Sequence, residues 1–258
     1  MIVRALQPFG AEITGVALDA VAPADVPALQ RLIAVNRVVV FPAQAITDAA
    51  LVQFLALFGP LTFTAGETPV AAEPQLNLVS NVGRTTPPRS VFHTDTSYVR
   101  RPPALTALRA VRVPAAGGCT LFSDQVAAAA RLPGPVRAAL GGRTVLHSLG
   151  SDPADGARHP LFRQHPLTAE SALYLSTPAR LSAISGVDER TSARLVAALY
   201  WHSIRRSLLY RHAWRPGDVV VWDNRVTMHK ADHHGVAGDR ILHRGLVLGE
   251  VPIAAAAA

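Results

Sequence analysis

Apolar residues in this chain come in many short runs, closed again and again by glycine or proline. Val38 to Phe41 ends at Pro42, the run around Phe54 and Phe58 stops at Gly59-Pro60, and Asp218 to Trp222 follows the turn Arg215-Pro216-Gly217. Short runs rich in β-branched residues between such turns read as strands. Leu76–Val79, Leu105–Val113, Thr120–Phe122, Arg143–Leu149, Ala172–Leu175, Ser207–Trp214 and Ile241–Leu248 add further strands. Helical periodicity is confined to Pro23–Asn36, the segment starting at Thr47-Asp48, a proline-interrupted stretch over 124–140, and Asp188–His202, with a face of Leu195, Ala198 and Leu199. Asp25 and Thr47 are candidate caps for the first two helices. Strands and helices therefore do not alternate as a doubly wound parallel sheet requires. The expected fold is mainly β, a double-stranded β-helix (jelly roll, cupin-like) with flanking helices.

At 258 residues and 49% hydrophobic content, one domain spanning 1–258 is expected, with residues 250–258 as a flexible tail. No apolar stretch reaches membrane-spanning length, and the first residues lack the apolar segment of a secretory leader, so no membrane partner and a cytoplasmic location are expected. The formal net charge is +7, carried by arginines, since Lys230 is the only lysine. These arginines are scattered and lack interleaved aromatic platforms, which argues against nucleic acid as a partner. A pocket for small anions accounts for them as well. Cys119 is the only cysteine, so an intramolecular disulfide and a cysteine-rich metal site are excluded. Thr85–Arg89 reads as a flexible approach to the first metal motif, and the polar segment Asp152–Pro166 as a loop able to close over a site.

The chemistry-bearing pattern is His93-Thr94-Asp95. Alternate residues of an extended segment point the same way, so one imidazole and one carboxylate can converge. Fe(II) accepts two histidines and one carboxylate on a single octahedral face and leaves the opposite face open. The third ligand must come from elsewhere in the chain. His229, after the apolar strand of DVVVWDNRVTMH, is the leading candidate; His147, His159, His165, His202, His212, His233, His234 and His243 are its rivals. Asp223, Asn224 and Arg225 are expected to form a tight turn that sets up His229.

Five stretches, FHTDTSY, GGCTLFSD, HPLFRQHP, WRPGDVVVWDNRVTMH and DRILHRGLVLG, resemble the taurine dioxygenase and 2,4-dichlorophenoxyacetate dioxygenase family. The likeness runs from GAEITGVAL at residues 10–18 to residue 249. It implies an Fe(II)- and 2-oxoglutarate-dependent dioxygenase that couples oxidative decarboxylation of 2-oxoglutarate, releasing succinate and CO2, to hydroxylation of a substrate by O2. It also implies iron at His93, Asp95 and His229, and 2-oxoglutarate at Thr120 and Arg240. Retention of Asp95 favours hydroxylation, because halogenating relatives lack this carboxylate. An arginine suits the distal carboxylate of 2-oxoglutarate independently, since its planar fork makes charge-assisted pairs.

Arg244 lies four residues after Arg240, and even spacing on a strand keeps both on one face. A second inward guanidinium needs an anion, or a core carboxylate in its place. By the resemblance, Arg244 holds the acidic group of the substrate. Thr64, Glu67 and Arg89 stand where the taurine enzyme has histidine, tyrosine and asparagine, which predicts a small anionic organic substrate other than taurine: a sulfonate, sulfate ester or carboxylate. Arg244, Arg89, Thr64 and Tyr98 are the candidate substrate residues; His159, His165 and Tyr174 are further pocket candidates. A homo-oligomer is compatible with this reading. Two alternatives stay open: a non-redox metal-dependent cupin-like enzyme, which predicts more histidine ligands, and a non-enzymatic small-anion-binding protein.

Overall fold

The computed structural model describes residues 1–84, 90–150 and 153–256. Its largest sheet has nine strands, running Ile2–Ala5, Ala11–Thr14, Val38–Phe41, Val219–Asp223, Pro103–Arg112, Ile241–Leu248, Glu73–Ser80 and Pro69–Val70, with Leu61–Thr62 also pairing with Ile241–Leu248. Facing it is a sheet of Leu209–His212, Thr120–Asp124 and Thr227–Ala231. The strands are short and mostly antiparallel, and the two sheets make the expected jelly roll.

Period-two alternation sorts the central strands into two cores. Val38 and Val40 register with Trp222 and Val220 across the antiparallel pair. These residues, with Leu108 and Leu242, face Phe122 and Tyr210 of the smaller sheet. The intervening Val39, Phe41, Val219 and Val221 face the other way and pack on Leu29 and Ile33 of the helix Val26–Asn36 and Leu51, Phe54 and Leu55 of the helix Asp48–Ala56. Being buried on both faces is why DVVVW has no polar alternation. Thr47 caps the second helix by accepting a hydrogen bond from the Ala50 amide at 3.1 Å. Asp25 precedes the first helix, but its side chain makes no capping bond.

Three local expectations are corrected. The segment 152–166, expected as a polar loop, is largely strand: Gly156–Pro160 pairs with Thr144–Ser148, and Phe162–Gln164 pairs with Ser171–Leu173. Three of its polar residues, His159, Arg163 and His165, are buried, whereas Arg158 is exposed. Asp152 and the segment Thr85–Arg89, including Arg89, lie outside the described residues. Residues 250–258 do not form a tail throughout, since Ile253–Ala254 adds to Phe162–Gln164. The helix Glu189–Ser203 buries Val196, Leu199 and Tyr200, whereas Ala198 is exposed, so its buried face is rotated from the one the periodicity gives.

A buried polar cluster supports the segment that follows Asp95. His147 Nδ1 meets the Ser97 hydroxyl at 3.0 Å, and His159 Nε2 donates to the carbonyls of Ser97 and Val99 at 2.9 and 3.0 Å. Both rings pack on Tyr174, which also carries the Arg163 guanidinium over its face. Burial pushes both imidazoles below their ordinary value, His147 well below it. The unfolded chain, with histidines near 6.5, then binds more protons than the folded one as pH drops past that value. Stability is accordingly expected to be flat above about pH 7.5 and to fall as pH decreases below about 6.5, by at most about 1.4 kcal/mol per histidine per pH unit. Urea midpoints of the metal-free protein between pH 7.5 and 5 check this; a midpoint that holds or rises on acidification contradicts it.

Candidate metal centre and its cavity

His93 and His229 are far apart in the chain and adjacent in space because their backbones pair. The His93 amide donates to the His229 carbonyl at 3.0 Å, and the His229 amide donates back to the His93 carbonyl at 2.9 Å. In such a reciprocal antiparallel pair the two side chains project to the same side. The imidazole centroids are 4.4 Å apart. Asp95 joins from the same extended segment, with Oδ1 3.6 Å from His93 Nε2 and 3.8 Å from His229 Nε2. The three ligand atoms lie within 4.8 Å of one another, the spacing of a shared ion, and no other such group occurs among the described residues. His93 Nδ1 is 2.9 Å from the Val91 carbonyl, so it carries the proton and leaves the Nε2 lone pair for a metal. His229 is wedged against Trp222 and Phe122. Burial pushes its imidazole down to about 3, which keeps it neutral at ordinary pH.

Asp95 is buried, which alone would raise its pKa. Neighbouring positive charge, with the Arg244 guanidinium the permanent cation 3.3 Å from Oδ1, outweighs burial and holds the carboxyl well below the usual range. It is also positioned by a relay absent from the sequence reading. Thr106 Oγ1 donates to Asp95 Oδ2 at 2.8 Å, Asn224 Nδ2 donates to Thr106 Oγ1, and Trp222 Nε1 donates to Asn224 Oδ1 at 3.0 Å. The turn after Asp223 thus leads into the strand bearing His229, while its Asn224 reaches Asp95 through Thr106. Asp223 itself is consumed by Arg225 and by His165, 2.9 Å away.

The two histidines open on a cavity of about 340 Å³, whose lining includes His93, His229, Thr120, Arg240, Arg244 and Glu67. Arg240, just before the last long strand, and Arg244, within it, both line the cavity, but their electrostatics differ. Arg240 is buried and has no acidic partner among the described residues; its bonds go to the Gly118 carbonyl at 2.8 Å and Thr120 Oγ1 at 3.3 Å. Burial pushes it down to about 10. Thr120 Oγ1 also accepts from Trp214 Nε1 at 3.0 Å, so its proton is left to donate. Gly118 has φ +69°, and a Cβ there would stand 3.0 Å from Arg240 Cδ, so glycine serves both the turn and the close approach.

Arg244, in contrast, already has carboxylates. Its Nη1 lies 3.3 Å from Asp95 Oδ1, and its Nη2 donates to Glu67 and, at 3.2 Å, to Thr64. The core-carboxylate alternative for Arg244 is therefore present in the structure. Glu67, expected only as a replaced tyrosine, is the residue missed: its acidity beside an inward arginine was the available signal. Thr64 lies at the site. Tyr98 does not line the cavity; it is half-buried with the Arg180 guanidinium over its ring. His159, His165 and Tyr174 are core residues rather than pocket walls, and of the rival histidines only His233 lines the cavity.

The chemistry of this donor set, two imidazoles and one carboxylate beside a buried cation without an acidic partner among the described residues, fits Fe(II) and the dicarboxylate 2-oxoglutarate. Comparison with known proteins agrees. The chain is 32% identical to an alpha-ketoglutarate-dependent sulfate ester dioxygenase of Pseudomonas putida, over 95% of this chain and 88% of that protein. It is 28% identical to the alpha-ketoglutarate-dependent 2,4-dichlorophenoxyacetate dioxygenase of Cupriavidus pinatubonensis, over 91% of this chain and 92% of that protein. The crystal structure of a taurine dioxygenase from Burkholderia xenovorans superposes with a TM-score of 0.87 at 33% identity, covering 98% of this chain and 92% of the other. Residues 2–246 match the model of the taurine catabolism dioxygenase TauD, TfdA family, and the chain belongs to that family of Fe(II)- and 2-oxoglutarate-dependent dioxygenases.

Proposed function

We propose that this dioxygenase hydroxylates a small anionic organic substrate, a sulfonate, sulfate ester or carboxylate, with iron held by His93, Asp95 and His229 and 2-oxoglutarate held by Arg240 and Thr120. The observation that carries the reading is the buried Arg240, without an acidic partner among the described residues, lining the same cavity as His93 and His229, the two histidines that group with Asp95. Bound Fe(II), with 2-oxoglutarate and O2, supplies the oxidising power that inserts oxygen into a C–H bond and leaves succinate and CO2.

The protein residues bind and orient. His93 and His229 present their ring Nε2 atoms, and Asp95 presents a carboxylate that Thr106, itself held by Asn224, keeps in one rotamer. Arg240 offers a charge-assisted pair to the distal carboxylate of the co-substrate, and Thr120 adds one O–H donor. Arg244 and Thr64 receive the acidic group of the substrate. Arg89, which lies outside the described residues, and Tyr98 stay in this reading as proposed substrate residues. The relatives support an anionic substrate by name: one acts on sulfate esters, another on 2,4-dichlorophenoxyacetate. Taurine is not the expected substrate, because Glu67 and Thr64 replace the aromatic partners of the taurine enzyme.

A panel of small sulfonates, alkyl sulfates, aryloxyacetates and neutral alcohols, scored by succinate released, tests the proposal. An anion is expected to give the highest turnover; a neutral best substrate, or efficient release of sulfite from taurine, contradicts it. Arg240→Ala is expected to weaken 2-oxoglutarate binding by about 2–5 kcal/mol, and an unchanged dissociation constant removes Arg240 from the site. Thr106→Val is expected to lower Fe(II) affinity roughly 10- to 100-fold through Asp95, measured by competition with a chelator. Wild-type affinity in that variant contradicts the relay.

A further inference from the structure

Three of the five N–H donors of the Arg244 guanidinium are already engaged by the protein. Nη2 is taken by Glu67 and Thr64, Nη1 by Asp95, and Nε is buried with no partner. Thr64 is further tied to Thr96, hydroxyl to hydroxyl at 3.3 Å. A sulfonate, sulfate or carboxylate that takes a two-point hold on Nη1 and Nη2 would meet the Glu67 carboxylate on Nη2, and two anions cannot crowd one nitrogen at contact distance without strong repulsion.

The partners of this ion pair are unequally anchored. Arg244 sits on the long strand Ile241–Leu248 and its side chain is 10% exposed, whereas the Glu67 side chain is 39% exposed. Glu67 lies in the turn between Leu61–Thr62 and Pro69–Val70, next to Gly66, whose φ is +81° and around whose Cβ position the space is open. Glu67 can therefore return to water at little desolvation penalty, while Arg244 cannot leave. Formal charge gives the same direction. Bound Fe(II) and Arg240 balance Asp95 and the two carboxylates of 2-oxoglutarate, and Arg244 is balanced by Glu67. The site is neutral with Glu67 in place, and gains one positive charge for a monoanion when Glu67 withdraws.

We infer that Glu67 is a resident counter-anion of Arg244, and that the substrate binds by exchanging its own acidic group for the Glu67 carboxylate. Glu67 is then a specificity-determining residue. It sets how strongly an anion must bind before it enters, and it excludes neutral molecules, which cannot displace it. The inference rests on the proposed role of Arg244 in holding substrate.

When a site is open only part of the time, apparent affinity falls by the open fraction. Removing the competitor should restore it. Dissociation constants of methanesulfonate, hexyl sulfate and phenoxyacetate are measured by calorimetry on the anaerobic Fe(II)- and 2-oxoglutarate-loaded protein, with hexanol as the uncharged control. In Glu67→Gln the best-binding anion is expected to bind about tenfold tighter, as for a site nine-tenths occupied by Glu67. Glu67→Ala is expected to equal or exceed this gain, and hexanol to show none. Arg244→Gln should lose anion binding and keep 2-oxoglutarate. Unchanged or weaker anion binding in both Glu67 variants overturns the exchange. If Arg244→Gln binds the anions as wild type does, the role of Arg244 has failed, whereas anion binding that needs Arg244 and ignores Glu67 defeats the exchange alone.

Discussion

The reciprocal hydrogen bonds between the His93 and His229 backbones turn two remote segments into one site. Neither histidine could be placed by its own strand. His229 comes off a strand of the smaller sheet, and His93 comes from the segment that enters after residue 89. Their pairing fixes the spacing of the two imidazoles before any ion arrives, and Asp95 follows because an extended segment returns its side chain to the same face two residues on. The buried cluster of His147, His159 and Tyr174 then holds the chain beyond Asp95, so the carboxylate cannot drift from the pair.

The site is also built on a contrast between two arginines, Arg240 at the entry to the last long strand and Arg244 within it. Arg240 is buried with hydroxyl and carbonyl partners alone, which leaves its charge for a ligand. Arg244 is buried with two carboxylates already beside it. Spacing on the strand makes the two positions look equivalent, and only their surroundings separate a cation awaiting its anion from one whose anion must be exchanged. The same surroundings keep Asp95 ionised and His229 neutral, the protonation states a metal requires.

Much of this was legible in the sequence where the signal is chemical or periodic. HTD with a distant histidine is a demanding ligand pattern, and the apolar strands announce themselves by β-branched residues between prolines and glycines. What the sequence does not carry is register. Thr106 interrupts an apolar strand, but nothing in the chain says that its hydroxyl faces Asp95 until Pro103–Arg112 is paired with Val219–Asp223. Asn224 is hidden for the same reason. The segment His159-Pro160-Leu161-Phe162-Arg163 reads as polar loop because composition cannot show that a histidine and an arginine are turned into the core. Glu67 shows the opposite limit: its type was visible, but its contact with Arg244 depends on a turn that brings it across to the last long strand.

The most direct measurement is the visible spectrum of the anaerobic protein titrated with Fe(II) and 2-oxoglutarate. The account predicts a weak charge-transfer band that saturates at one iron per chain in the wild type and is absent in His229→Ala, because a bidentate 2-oxo acid on iron needs the assembled trio. A wild-type protein without the band, or a His229→Ala protein that keeps it at unchanged affinity, would contradict the account.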